Sequence, residues 1–326
     1  MRKTTLAAAV LAGALAPALA AAPALALNNK SYVSSAGSDG NSCADPQHAC
    51  ATLQAAHDKT GAGGDIGVLD PGSYGPLTIG KSINITNDGV GEAGIVAVPG
   101  GSGITITAGN GAIVSLRGLV IDGQGAGATG IQINQASGVH IQNCVIRNFE
   151  AAGSGRGIML FPGSSTQMFV SDTIIFNNGS TADTGGILIR PFSGGSASVV
   201  LDRVHLENNV FGLKVDGTSA SGNGSHVVIR DSVVSGNAAD GILALTTAGH
   251  APSFVVVEGT SSVHNAGTGI RADGPGATML LNADMVARNS TGISAVNGGQ
   301  LISYGTNKVN NNLGPDGIPT GSYSRI

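Results

Sequence analysis

Residues 186–216 read GILIRPFSGGSASVVLDRVHLENNVFGLKVD. The stretch opens on a glycine and alternating aliphatic positions, Gly186-Ile187-Leu188-Ile189, and the pattern returns 26 residues later as Gly212-Leu213-Lys214-Val215. Working outward, the same anchor stands at Gly130, Gly157, Gly241, Gly269 and Gly292, with successive spacings of 27, 29, 26, 29, 28 and 23 residues. An asparagine column at Asn178, Asn208, Asn237, Asn265, Asn289 and Asn311 keeps step, spaced 30, 29, 28, 24 and 22. Two columns in phase mark a repeat architecture, which has to be recognised before any single motif is read.

Between the anchors lie short runs with strand periodicity, such as Val139-His140-Ile141-Gln142, Val227-Val228-Ile229-Arg230 and Phe254-Val255-Val256-Val257. They are separated by Gly/Asn/Ser clusters and carry no helical pattern between them, which excludes βαβ units. Antiparallel sandwiches and propellers would be organised by two-residue hairpin turns, and these are not. A repeat of 22–30 residues holding two or three short strands is one coil of a parallel β-solenoid. The expected arrangement has nine or ten coils over residues 61–311, aliphatic side chains inside, glycines supplying positive φ at the corners, and a stacked asparagine ladder.

The composition agrees with this and excludes other classes. Of 326 residues, 52 are glycine; only 11% are charged, and 41% are hydrophobic. Glycine at this frequency is unsuited to helices, costing about 1 kcal/mol per helical position relative to alanine. A formal net charge of −4 excludes a nucleic-acid partner held by a basic surface. Residues 1–26, with Arg2 and Lys3 ahead of an alanine-rich apolar run, read as a signal peptide, so the protein is expected to be secreted, extracellular or periplasmic. No later run is long enough to span a bilayer, so no membrane insertion is expected after its removal.

Cysteine usage fits that compartment. Cys43 and Cys50 close a short loop and are expected to form a disulfide, while Cys144 sits inside an apolar strand pattern as a buried thiol. Residues 50–59 form the only helical pattern, with Leu53, Ala56 and His57 facing inward. Residues 27–60 are therefore expected to cap the N-terminal end of the solenoid, and residues 312–326 to form a C-terminal tail that covers or leaves the other end.

The passage Tyr32–Asn41, the Cys43/Cys50 loop, the helix and Leu69-Asp70-Pro71-Gly72-Ser73-Tyr74-Gly75 resemble secreted bacterial parallel β-helix repeat proteins of the pectate-lyase-like superfamily. The resemblance implies an all-β fold, a right-handed single-stranded parallel β-helix with a short N-terminal capping helix. It extends over residues 30–312 and includes lyases, hydrolases, esterases and epimerases, so it implies no single reaction. Hydrolases of the group share Asn-Thr-Asp, Asp-Asp, Gly-His-Gly and Arg-Ile-Lys segments. This chain has no adjacent aspartate pair, no Gly-His-Gly and no Arg-Ile-Lys, and its lack of tryptophan excludes a Trp-Ile-Asp-His segment. If the chain is an enzyme, these absences favour a polysaccharide lyase over a glycoside hydrolase.

Counting from each anchor glycine, positions +2 and +4 point outward. The +4 column reads Asn134, Phe161, Arg190, Asp216, Leu245, Asp273, and the +2 column reads Gln132, Met159, Leu188, Lys214, Leu243, Arg271. In a chain so poor in charge, Arg190, Lys214, Asp216, Arg271 and Asp273 on one face, beside Phe161 and Phe192, form a candidate binding surface for an extracellular acidic polysaccharide. Lys214 and Arg190 are the candidate bases of an elimination, with Asp216 beside them, and a lyase could use Ca²⁺ at Asp216 and Asp273. Otherwise no cofactor is expected. The bland reading is an exposed salt-bridge column, Arg190–Asp216 and Arg271–Asp273, on a structural or adhesive solenoid. A second column of Asp172, Asp202 and Asp231 reads as Asx turns, with Ca²⁺ as the weaker alternative.

Overall fold

A computed structural model describes residues 27–324; the expected signal peptide lies outside the described residues. The chain winds as an all-parallel β-helix with three walls. The first carries Arg156–Leu160, Gly185–Ile189, Leu213–Asp216, Ile242–Leu245, Thr268–Asp273 and Thr291–Val296. The second carries Ser165–Ser171, Ser196–Asp202, Gly224–Arg230, Ser253–Glu258, Ala277–Asn282 and Gln300–Ser303. Ser102–Arg117 and Thr129–Gln142 run through both, joining them into one 19-stranded sheet, while the third wall is a separate 10-stranded sheet.

Each strand pairs with its counterpart one coil on. Ile158 lies against Ile131 and Ile187, and Ile187 against Leu213. The +1 column of Ile131, Ile158, Ile187, Leu213, Ile242, Ile270 and Ile293 is thereby stacked in the interior, and every member is buried. Val139, Met168, Val199, Val227, Val255 and Met279 do the same on the second wall, so the core is a continuous column of aliphatic layers. Burying such side chains stabilises by about 1.5–3 kcal/mol each.

The anchor glycines serve a different purpose from the expected one. None of Gly130, Gly157, Gly186, Gly212, Gly241, Gly269 and Gly292 has positive φ. A Cβ on Gly212 would instead stand 2.6 Å from the Gly241 carbonyl oxygen and 2.5 Å from Val234 Cγ1, and Gly186 meets Gly212 in the same way. The residue must be glycine because successive backbones close on each other there. The left-handed corners are held mainly by other residues. One column is Gly118, Asn143, Asp172, Arg203, Asp231, Gly259 and Ala283; another is Asn148, Asn177, Asn208, Gly236, His264, Arg288 and Asn311.

Asn208 and Asn311 thus belong to a corner rather than to the ladder. The ladder runs Asn178, Asn209, Asn237, Asn265, Asn289 and Asn312, one residue further on in those two coils, and is buried as far as Asn289. Each Oδ1 from Asn209 onward accepts from the backbone N–H of the preceding rung, as Asn237 does from Asn209 at 3.0 Å. The Nδ2 groups donate to the next Oδ1 where two rungs meet closely, 2.8 Å from Asn237 to Asn265.

Both ends are covered. The helix is shorter than the sequence pattern, Leu53–Lys59, because Thr52 takes the cap position and its hydroxyl accepts from the Ala55 N–H at 3.1 Å. Leu53, Ala56 and His57 are buried. Asp39 accepts from the Ala51 and Thr52 N–H groups, each at 2.9 Å, and the Cys43–Cys50 disulfide closes the loop below. Cys144 is a buried free thiol, its pKa pushed up to about 11 by burial. At the far end, Gly321–Ser322 pairs with Ile302 and Ser303 after the chain has crossed the last coil. Among the described residues no helix is long and apolar enough to cross a membrane.

Candidate functional site

The first wall brings the +4 column together as one row: Phe161 follows Leu160, Arg190 follows Ile189 and Asp216 follows Val215 on strands in register. Proline and glycine fix what lies beside it. After Arg190 the chain turns through Pro191 and Phe192, and the Phe192 ring stacks on Phe161 with centroids 4.5 Å apart at 19°. Gly163 makes room for the ring, since a Cβ there would approach it to 2.8 Å. Phe192 keeps 38% of its surface exposed. Next to it an open groove of about 460 Å³ is lined by Thr107, Asn110, Asn134, Gln135, Gly163, Ser164, Phe192 and Ser193. A flat aromatic edge among amides and hydroxyls is the surface type that orients a polar ligand.

On the other side of Arg190 the charges gather. Arg190 directs Nε at 2.9 Å and a terminal nitrogen at 2.7 Å to Asp216 Oδ2. Asp216 Oδ1 accepts from the Thr218 N–H and hydroxyl, so the carboxylate is saturated and buried. Lys214 is buried as well, and its Nζ donates to Asp183 Oδ1 at 2.7 Å. Arg190 reaches the same oxygen at 3.6 Å. A third cation, Arg156, donates through Nε to the Asp183 carbonyl at 3.1 Å. Burial and the neighbouring Arg190 charge lower its pKa. The bonded Lys214 ammonium holds the Asp183 carboxyl below the usual carboxylate range.

The ion pairs are therefore not an exposed column. The +2 and +4 positions do face outward, but the segment carrying Asp183 lies over Lys214, and Leu188 beside it is fully buried. Neither Asp183 nor Arg156 was identified from the sequence. Arg156 stands one residue before an anchor glycine, where strand alternation assigns it to the interior; its guanidinium instead binds loop carbonyls of Gly153, Ser154 and Asp183. Asp183 lies in a loop outside the repeat columns, with no positional signal.

Arg271 and Asp273 form a second, separate cluster two coils further on. Arg271 donates to Asp273 at 2.6 Å and approaches Asp240 at 3.5 Å, while Asn297 donates to the other Asp273 oxygen at 2.7 Å. Asp216 and Asp273 stand two coils apart in one row, each with both carboxylate oxygens already bonded within the protein.

Asp172, Asp202 and Asp231 do not form one column either. Asp172 and Asp231 occupy the left-handed corner, with φ of 51° and 49°, and Arg203 holds it in the coil between them. Asp202 is one residue earlier, at the strand end between Ser171 and Arg230. The coil from Asp172 to Arg203 is longer than the one before it, which displaces the aspartate. Arg203 pairs with Asp172 at 2.8 Å and with Asp202, and the Arg203 contact lowers the Asp172 pKa. Among the described residues no group of three or more His, Cys, Asp or Glu side chains converges as a metal set.

The second wall holds a feature that the first-wall columns could not reveal. His140 stacks on Phe169 with centroids at 4.8 Å, and His226 packs at a tilt against Phe254 at 5.8 Å. Between them, Val200, Val228 and Val256 line a shallow depression of about 310 Å³ together with Gln167 and Ser198. Continuing the count from one second-wall strand to the next would have found this row.

Such a three-walled parallel coil defines a β-helix protein. The chain belongs to the right-handed β-helix family, whose "Right handed beta helix region" profile matches residues 82–313. No curated protein matches the chain in sequence. Among solved structures it is similar to an alginate lyase from Paenibacillus sp. str. FPU-7, with 16% identity and a TM-score of 0.55, over 90% of this chain and 97% of that one. It is also similar to the pectate lyase Pel9A, with 13% identity and a TM-score of 0.48, over 84% and 79% of the two chains. A GH136 lacto-N-biosidase from Eubacterium ramulus gives 11% identity and a TM-score of 0.48, over 91% and 68%. These likenesses are of fold.

Proposed function

We propose that the protein is secreted and binds an extended acidic polysaccharide along the first wall, from the Asn134 groove across Phe161 and Phe192 to Arg190 and Lys214. The observation that carries this reading is the continuity of the row. A polar groove, an exposed stacked aromatic and a cluster of three cations follow one another across successive coils. Phe192 offers a face to the apolar side of a sugar ring, the amides and hydroxyls bond its hydroxyls, and Arg156, Arg190 and Lys214 supply charge for a carboxylate. The second-wall depression has no lysine or arginine in its lining to meet an acidic chain.

The bonding favours binding over proton abstraction. The Lys214 ammonium donates to Asp183 and the Arg190 guanidinium to Asp216, so both act here as positive charges. Affinity electrophoresis through gels holding pectate, alginate or a neutral glucan, with and without Ca²⁺, tests the reading. The expected result is retardation by at least one uronan, absent in the neutral gel and reduced several-fold by Phe192→Ala, an exposed side chain whose loss leaves the ion pairs intact. Equal mobility in every gel overturns it and leaves a structural solenoid. Unsaturated product appearing in the absorbance would add elimination to binding.

A further inference from the structure

The Lys214 cluster has an asymmetry that an ordinary structural ion pair lacks. Its cations are sheltered: the Lys214 side chain is 9% exposed and that of Arg190 21%, whereas their shared partner Asp183 is 62% exposed. The Asp216 carboxylate, already saturated by Arg190 and Thr218, cannot also serve Lys214. Desolvated cations need a counter-charge; Arg190 has Asp216, whereas that of Lys214 comes from a surface loop. Residues 180–183 of that loop are exposed, and it is closed mainly by Thr184, whose hydroxyl accepts from the Ser180 and Thr181 N–H groups at 2.8 Å each. Asp183 Oδ1 faces Lys214 and Arg190, and the Asp183 backbone carbonyl takes Arg156. Withdrawing the loop would leave three cations around one carboxylate, with the ammonium unpaired.

We infer that Asp183 is an internal stand-in for a ligand carboxylate: it closes the cation site when the protein is free, and a uronate enters by taking its place on Lys214 and Arg190 as the 179–184 loop swings out. This rests on the reading of the first wall as an acidic-polysaccharide surface and adds how that surface is gated. No covalent step is involved; one carboxylate exchanges for another. The loop's carboxylate competes at high effective concentration, so a free ligand sees its affinity reduced by the fraction of molecules in which the latch is open. A latch closed nine times in ten weakens binding about tenfold.

The test is calorimetric titration of the full chain with trimers of galacturonate, mannuronate and guluronate, and with a neutral galactose trimer as control. Asp183→Asn removes the competing charge, and Thr184→Val loosens the loop without altering any charge. Both are expected to bind at least one uronate trimer about tenfold more tightly than wild type, with no change for the neutral trimer. Backbone amides of 179–184 in wild type should exchange faster when that trimer is bound. Equal or weaker uronate binding by both variants overturns the latch, including the case in which no trimer binds any of the three proteins. The two readings fail separately: retardation of wild type in uronan gels with no tightening in the variants removes the latch alone. Tight trimer binding by the variants with no retardation of wild type removes the polysaccharide reading alone.

Discussion

At the residue scale, one carboxylate is out of place in a column whose other members carry no charge. Successive coils put Cys144, Thr173, Val204, Ser232, Thr260 and Asp284 just past the left-handed corner, and Asn307 meets Asp284 from the coil after. Several of them accept from the backbone N–H of the preceding coil. Asp284 does so while buried. Oδ1 accepts from Thr260 at 3.0 Å and Oδ2 from Asn282 at 3.1 Å, yet burial, aided by Glu258, pushes its pKa from 3.8 up to about 8. A carboxyl whose folded pKa exceeds its unfolded one binds a proton in the folded state that the unfolded chain has released. Its favourable contribution is complete below 3.8 and drains away as pH rises toward about 8. Asp284→Asn keeps the shape, copies the Asn307 found one coil later, and cannot ionise. Thermal midpoints measured from pH 4.5 to 8.5 should therefore show the wild type losing stability relative to the variant as pH rises. Parallel curves would mean that Asp284 does not titrate in that interval.

At the element scale, the asparagine ladder is what fixes the corner between the third wall and the first, and its cost can be separated from that of the corner itself. Asn237 accepts from the Asn209 N–H and donates to the Leu206 carbonyl at 3.1 Å, all within the buried interior. Asn237→Ala strands the Asn209 N–H and removes the added bond to the Leu206 carbonyl, at about 1–3 kcal/mol. Asn208→Ala, at the exposed left-handed position beside the ladder, gives up only conformational preference, about 1 kcal/mol. Denaturant midpoints should fall clearly further for the first variant; equal falls would show that the ladder adds nothing beyond the turn. The pair also shows what the sequence could reveal. The period, the aliphatic interior and the outward row holding Phe161, Arg190 and Asp216 follow from counting, because strand alternation is rigid over four residues. Corners are not so constrained. Where two asparagines adjoin, Asn208-Asn209 and Asn311-Asn312, only the structure shows which enters the ladder. The coil that lengthens before Arg203 moves Asp202 out of its column. The charge that completes the Lys214 cluster, Asp183, lies in a loop no repeat governs, so its meeting with Lys214 could not be counted.

At the scale of the whole molecule, a solenoid has two open ends whose unpaired strands invite other chains to add to them. The two ends are closed by different means. The N-terminal one is plugged by apolar side chains of the Leu53–Lys59 helix and held by a disulfide. The other relies on hydrogen bonds. The Gly292 N–H donates to the Pro315 carbonyl and that of Ile293 to Asp316, each at 2.9 Å, and Asn312 ends the ladder on Asp316 Oδ1 at 2.8 Å. Thr320 takes the Leu301 N–H at 2.9 Å. The apolar side chains of this segment do little of the covering, since Leu313 is 76% and Ile318 83% exposed. Ending the chain at Leu313 would remove those partners without opening the aliphatic interior over the earlier coils. The expected outcome is a protein with nearly wild-type circular dichroism that associates end to end, seen as a concentration-dependent rise in mass by light scattering. A truncated chain with the same mass as wild type at every concentration would show that the segment is not what blocks the edge. One that loses its strand signal would show that the last coils depend on it for folding.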